Sequence, residues 1–186
     1  MVTRPIYTIG HSTRRADEFR ELLESFHVQL LVDVRQFPGS KRYPHFSSAG
    51  LTGSLSPVGI AYRHELDLGG RRRAEGDSPN GFWKNASFRA YADYMATPAF
   101  RSALDRLLDA AAGQATAIMC AEAVPWRCHR WLISDALVAR DREVIHILAL
   151  KSSKPHVLNA SARASPDGTL TYPAETTPTS GQTLLW

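Results

Sequence analysis

Apolar residues in this chain arrive in two rhythms. Short, nearly continuous runs occur at "PIYTIG" (5–10), "QLLVDVRQF" (29–37), "GIAYRHEL" (59–66), "ATAIMC" (115–120) and "EVIHIL" (143–148). Runs of this length, rich in β-branched residues, predict strands buried on both faces. Between them the apolar positions fall three and four apart. Phe19, Leu22, Leu23 and Phe26 line one face of a predicted helix over 14–26, with Thr13 as its cap and Asp17 and Glu18 suiting its positive end. "FSSAGLTGSL" (46–55) predicts a weaker, glycine-interrupted helix, and Phe88, Tyr91, Ala92 and Met95 mark another. The clearest helix punctuation lies in "TPAFRSALDRLLDAAAG" (97–113). There Thr97 caps, Pro98 takes the first helical position, and Gly113 ends the stripe of Phe100, Leu104, Leu107, Leu108 and Ala111. Trp131 to Ala139 is the last long helical pattern.

Strands separated by helices predict an α/β fold: a single-domain, mainly parallel sheet with helices on both faces, over residues 1–150. Beyond 150 the composition shifts to Ser, Thr, Pro and Ala. "ARASPDGTLTYP" (162–173) predicts a small C-terminal hairpin turning at "PDG", so 151–175 is expected to pack on the main domain and 176–186 to form a loose tail.

Composition narrows the class. At 186 residues, 44% of them hydrophobic, the chain can bury one substantial core. No stretch approaches the roughly 20 apolar residues of a membrane span, so no membrane partner is expected. The start, "MVTRPIYTIG", lacks the apolar core of a signal peptide, and both cysteines fall in one motif, which together lead to an expected cytoplasmic location. The net charge is only +4, but basic residues bunch in two loops, "RQFPGSKRYPH" and "GGRRR". Concentrated loop arginines point to an anionic small molecule or nucleotide-like ligand. No pattern assigns a cofactor or an oligomeric state.

Ligands of open α/β sheets bind beyond the C-terminal ends of the strands. If the strands are parallel, that edge collects His11, Arg35, His64 with Glu65, and Cys120 with Glu122, while the loop bearing Gly69, Gly70 and Arg71 to Arg73 starts from it. Asp33 stands near the end of the second strand, and the paired glycines permit close ligand approach. The segment "IMCAEAVPWRCHRWLISDAL" adds Cys128, His129 and Arg130 at a helix entrance, where backbone N–H groups favour anions and lower a thiol's pKa. Cys128 is the better placed for that effect. His146, inside the fifth strand, reads as a satisfied core histidine, and Trp126 and Trp131 as anchors.

These residues also carry a resemblance. "YTIGHST", "LVDVRQFPGSKRYPHF", "GIAYRHELDLGG", "IMCAEAVPWRCHRWLISDAL" and "EVIHI", through "TLTYP", resemble the domain-of-unknown-function 488 (DUF488) family over about residues 5 to 173. The resemblance implies a cytoplasmic single-domain α/β protein. It implies motif residues at His11, Asp33, Arg35, Tyr62, Gly69, Gly70, Cys120, Glu122, Cys128, His129 and Arg130, and no particular reaction.

Three functions fit the residues. In the first, an enzyme binds a phosphorylated or otherwise anionic substrate: Arg35, Arg71 and Arg130 hold the anion, with Asp33, His64, Gly69 and Gly70 on the binding side. Cys120 or Cys128 then attacks, and His129, His11 or Glu122 moves protons. The strand–Cys–loop–Arg–helix layout is similar to that of rhodaneses and cysteine phosphatases, but the loop holds Pro125 and no glycine, and its first arginine, Arg127, comes late. In the second, Cys120, Cys128 and His129, with His11 or His64, bind zinc or iron, although the cysteine spacing is not that of a structural zinc knuckle. In the third, a nucleic-acid-binding module stacks bases on Phe37, Tyr43, Phe46 and Trp83. A structural or redox-sensitive pairing of the two cysteines is the remaining alternative.

Overall fold

A computed structural model describes residues 4–39, 42–74 and 76–174. Five parallel strands, β1 (Ile6–Gly10), β2 (Leu30–Asp33), β3 (Ala61–His64), β4 (Thr116–Cys120) and β5 (Val144–Ala149), lie in one sheet with an antiparallel edge strand, β6 (Ser152–Pro155). The order is β3-β2-β4-β1-β5-β6. A separate two-stranded hairpin, β7 (Arg163–Ala164) with β8 (Leu170–Thr171), turns through Gly168 at φ 79°. The expected α/β class and hairpin are therefore present. The edge strand β6 has no counterpart in the apolar pattern: "SSKP" lacks alternation, and only its backbone pairing with β5 makes it a strand. The expected loose tail, 176–186, lies outside the described residues.

Strands β1, β2, β4 and most of β5 are buried because helices cover both faces, whereas β3, at the edge of the sheet, stays partly exposed. Along β2 and β4, Leu30, Val32, Ile118 and Cys120 point to one side, toward α3 (Ala86–Met95), α4 (Pro98–Ala111) and α5 (Arg130–Val138). Leu31, Ala117 and Met119 point to the other, onto α1 (Ala16–Ser25) and α2 (Ser48–Leu55). Each such aliphatic side chain contributes about 1.5–3 kcal/mol on full burial, so the alternation locks the register.

Helix α1 begins later than its pattern suggested, and Thr13 does not cap it. The Arg15 N–H bonds the Glu18 carboxylate (3.1 Å), and Arg14 turns inward to donate to the carbonyls of Gly10 and Leu148. Thr97 caps α4 as expected, accepting from the Phe100 N–H. No helix among the described residues is long and apolar enough to cross a membrane.

Candidate functional site

The register sets the site. Gly10 pairs with Cys120, and Asp33 with both Met119 and His64, so four strands end in step. Beyond these ends the chain stays hydrogen-bonded for one more residue, with His11 N–H to the Cys120 carbonyl and Val34 N–H to the Met119 carbonyl, each 2.9 Å. A cleft of about 210 Å³ opens there, lined by Arg35, Gln36, Phe37, Gly70, Arg71, Cys120, Ala121, Glu122 and His129. It continues outward past His11, Ser12, Thr13, Arg42 and Tyr43.

Cys120 lines this cleft, and Cys128 lies directly against it. Cys120 Sγ lies 2.6 Å from Cys128 Sγ, and both thiols are free. Cys120 accepts from Arg130 Nε (3.0 Å) and from the Glu122 N–H (3.3 Å). Cys128 sits just before α5 and accepts its first N–H, that of Arg130, at 3.4 Å. Burial alone would raise the Cys128 thiol, but the neighbouring Cys120 and the Arg130 charge bring it down to about 7. Burial, reinforced by contact with Cys128, pushes Cys120 well above the ordinary thiol value. The pair thus carries one charge and one proton near neutral pH, shared across the contact. At rest the charge sits on Cys128 and the proton on Cys120; when the proton crosses the contact, the charge falls on Cys120, where Arg130 Nε and the Glu122 N–H both donate.

Arg130 is 1% exposed and fully engaged: besides Cys120, it donates to Thr8 Oγ1 (3.2 Å) and to the Glu122 carbonyl (2.6 Å). It is a counter-charge to the sulfurs inside the wall, rather than an open anion ligand. The arginine that sequence spacing seeks at Arg127 is supplied three residues later, folded back onto the thiol.

His129 presents Nδ1 to Cys128 at 3.4 Å while Nε2 donates to the Val34 carbonyl at 2.7 Å. That bond fixes the proton on Nε2 and leaves Nδ1 as an acceptor, and desolvation lowers the ring's pKa. His11 is buried against Phe46, with ring centroids 4.2 Å apart. It donates from Nδ1 to the Ser12 carbonyl and accepts at Nε2 from Arg35, and burial depresses it to about 4. It is therefore neutral at physiological pH.

Asp33 and Arg35 neutralise one another. Arg35 Nε and Nη2 grip the carboxylate at 2.5–3.1 Å, Tyr62 donates to it at 2.8 Å, and Arg35 also donates to the Phe46 carbonyl. His64 faces away from the cleft, its Nε2 donating to the Arg35 carbonyl at 2.8 Å, so it braces the arginine's backbone. Glu65 turns to Arg106 and Arg63. Among the described residues, the exposed cations along the cleft are Arg71 and Arg42. Arg71 has φ 59°, a left-handed conformation that costs a non-glycine residue about 1–2 kcal/mol and aims its guanidinium across Phe37. Arg72 instead stacks on Tyr94 at 3.6 Å.

The glycines serve close approach. A Cβ on Gly70 would lie 2.9 Å from His129 Nδ1, and one on Gly69 2.7 Å from Gln36 Oε1. Sequence reasoning missed Gly10, where a Cβ would fall 1.7 Å from the Glu122 carbonyl and 2.9 Å from Arg130 Nη2. Its signal was a glycine directly before the histidine at a strand end.

It also missed a buried chain behind the sulfurs. Asp135 accepts from His156 Nε2 (2.9 Å), and His156 Nδ1 lies 3.0 Å from His146 Nε2. His146 Nδ1 lies 2.7 Å from Thr8 Oγ1, which accepts from Arg130. Tyr172 O–H closes the far end on Asp135 at 2.9 Å. His146 is thus a satisfied core histidine, though with a neighbour in the site.

Of the nucleic-acid platform, Phe46 is fully buried under His11 and Trp83 packs on Phe88 and Tyr172, leaving Phe37 and Tyr43 along the cleft. No group of three or more His, Cys, Asp or Glu side chains is arranged to hold a metal ion among the described residues.

Fold and site together define an α/β protein with a paired-thiol cleft at the C-terminal edge of a parallel sheet. The family model for the domain of unknown function DUF488 matches residues 15–137, so the chain belongs to that family. The matched span is narrower than the stretch of sequence resemblance; it takes in Asp33 through Arg130 and stops short of His11. No curated protein and no solved structure is similar enough to match.

Proposed function

We propose that the protein is an enzyme that binds a phosphorylated or otherwise anionic small molecule in this cleft and uses the Cys120 sulfur as its nucleophile. The observation that carries the reading is Cys120 itself: the residue borders the cleft, and a buried guanidinium and a backbone N–H both donate to its sulfur. Those donors favour thiolate, the reactive form. With Arg35 engaged by Asp33, the anion falls to Arg71 and Arg42. His129 Nδ1 receives the thiol proton through Cys128, and the exposed Glu122 carboxylate is placed to serve the leaving group.

Alkylation tests this directly. Iodoacetate, an anion, is expected to modify Cys120 faster than neutral iodoacetamide does, the reverse of the order for a free thiol. Inorganic phosphate is expected to protect, and Arg71→Ala to abolish the preference. Cys120 reacting with both reagents no faster than free cysteine would overturn the proposal.

A further inference from the structure

A nucleophile beside an arginine needs one sulfur, and this cleft has two. Both cysteines are buried in the core beside α5, Cys120 2% and Cys128 4% exposed, but only Cys120 is among the residues that line the cleft. The sulfurs are 2.6 Å apart, about half an ångström beyond the length of a disulfide bond. Nothing in anion binding uses the inner thiol. Its place suits one chemical role, the displacement of whatever becomes attached to the outer sulfur.

We infer that Cys120 and Cys128 form a thiol–disulfide exchange site, with Cys128 the resolving thiol and a small disulfide bearing carboxylates the substrate. The inference rests on the reading of Cys120 as the cleft nucleophile and supplies its substrate class. The carboxylates would meet Arg71 and Arg42 at the mouth, beside the exposed Phe37 ring.

The steps balance without a further reactant. Cys120 thiolate attacks one sulfur of the substrate disulfide; a Cys120–substrate disulfide forms, and the first substrate thiolate leaves. Cys128 gives up its proton to His129 Nδ1 and attacks the Cys120 sulfur, forming the Cys120–Cys128 bond and expelling the second thiolate. The substrate disulfide is reduced by two electrons, and the protein dithiol is oxidised by the same two. Closure also removes the negative charge beside buried Arg130, whose Nε then loses a charged acceptor. The oxidised form is therefore the less stable one, and an external dithiol reopens it readily.

The test uses the full-length reduced protein with excess oxidised glutathione, read by intact mass and by counting free thiols. Wild type is expected to end two hydrogens lighter, with both thiols blocked and no glutathione attached, and to recover fully on dithiothreitol. Cys128→Ser and Cys128→Ala, each checked for folding by circular dichroism, are expected to stop with one glutathione on Cys120. Cystamine, a disulfide of opposite charge, is expected to react roughly tenfold more slowly once intrinsic reactivity is calibrated on free cysteine. Stable glutathionylation of wild type, or failure of both Cys128 variants to trap it, would overturn the exchange site. If Cys120 still alkylates rapidly with the iodoacetate preference, only the exchange assignment falls; if Cys120 is inert to all reagents, the nucleophile proposal falls with it.

Discussion

Replacing Arg130 isolates its share in lowering the Cys128 thiol. Its side chain donates to Cys120, Thr8 and the Glu122 carbonyl, and it is almost wholly buried. A hydrogen bond to a charged partner is worth about 1.5–3 kcal/mol. At 1.36 kcal/mol per pH unit, losing it raises the first thiol pKa by about 1–2 units. Arg130→Met is therefore expected to move the Cys128 titration from about 7 back toward the ordinary 9.0. The assay is the rate of iodoacetamide modification of the coupled thiol pair as a function of pH. At pH 7 the thiolate fraction, and with it the rate, should fall roughly 5–50-fold. Arg130→Lys retains the charge but cannot span three acceptors, so its midpoint should lie between the two. Should Arg130→Met fold and titrate at the wild-type midpoint, the guanidinium does not stabilise the thiolate and the electrostatic account of the site is wrong.

Gly10→Ala places a methyl group against the Glu122 carbonyl and Arg130, so it should cost at least about 1–3 kcal/mol in urea unfolding and slow Cys120 alkylation as well. A neutral outcome would mean the Glu122 loop is free to withdraw. Asp33→Asn leaves Arg35 buried without its counter-charge and should cost about 3–5 kcal/mol, read from the same denaturation midpoints; a loss under about 1 kcal/mol would show Arg35 reaching water. Acid stability follows from His11 and His146, which burial holds at about 4 and about 3. Both have folded values below the unfolded 6.5, so the unfolded chain takes up their protons first. Their contribution to stability is complete above pH 6.5 and is lost as pH falls through 4 and toward 3. His146→Gln should flatten that decline, and an unchanged slope would remove His146 from the account. The thiols act in the alkaline direction: with Cys128 lowered, stability should rise between pH 7 and 9, and Cys128→Ala should remove the rise.

The fold was legible because its central strands are largely apolar and its helices amphipathic, two patterns that do not depend on distant contacts. The convergence of His11, Arg35 and Cys120 followed from parallel topology alone, since every strand must end on the same edge. Side-chain roles were not legible. Arg130 and Arg71 look alike in sequence, yet one is sealed against sulfur and the other sits exposed at φ 59°. His64 shares its strand end with the cleft residues, but one hydrogen bond to the Arg35 carbonyl turns it aside. The edge strand β6 carries no pattern because its four residues are all exposed and its pairing is made by backbone.

The buried chain explains why segments outside the family match belong to the site. Neutral His146 has one N–H to give. With the His156 proton on Nε2 toward Asp135, every donor finds an acceptor in one direction, from Arg130 through Thr8, His146 and His156 to the carboxylate. Arg130 cannot lose its proton, so the chain conducts none to the thiols; it holds the guanidinium in place and sets a buried negative group at its far end. Thr8 comes from β1, His146 from β5, His156 from just after β6, and Tyr172 from just after β8. The matched span, residues 15–137, contributes only Arg130 and Asp135 to it. The C-terminal hairpin therefore does more than cover α3: through Tyr172 it fixes Asp135, and through Asp135 the orientation of the arginine that charges the sulfurs.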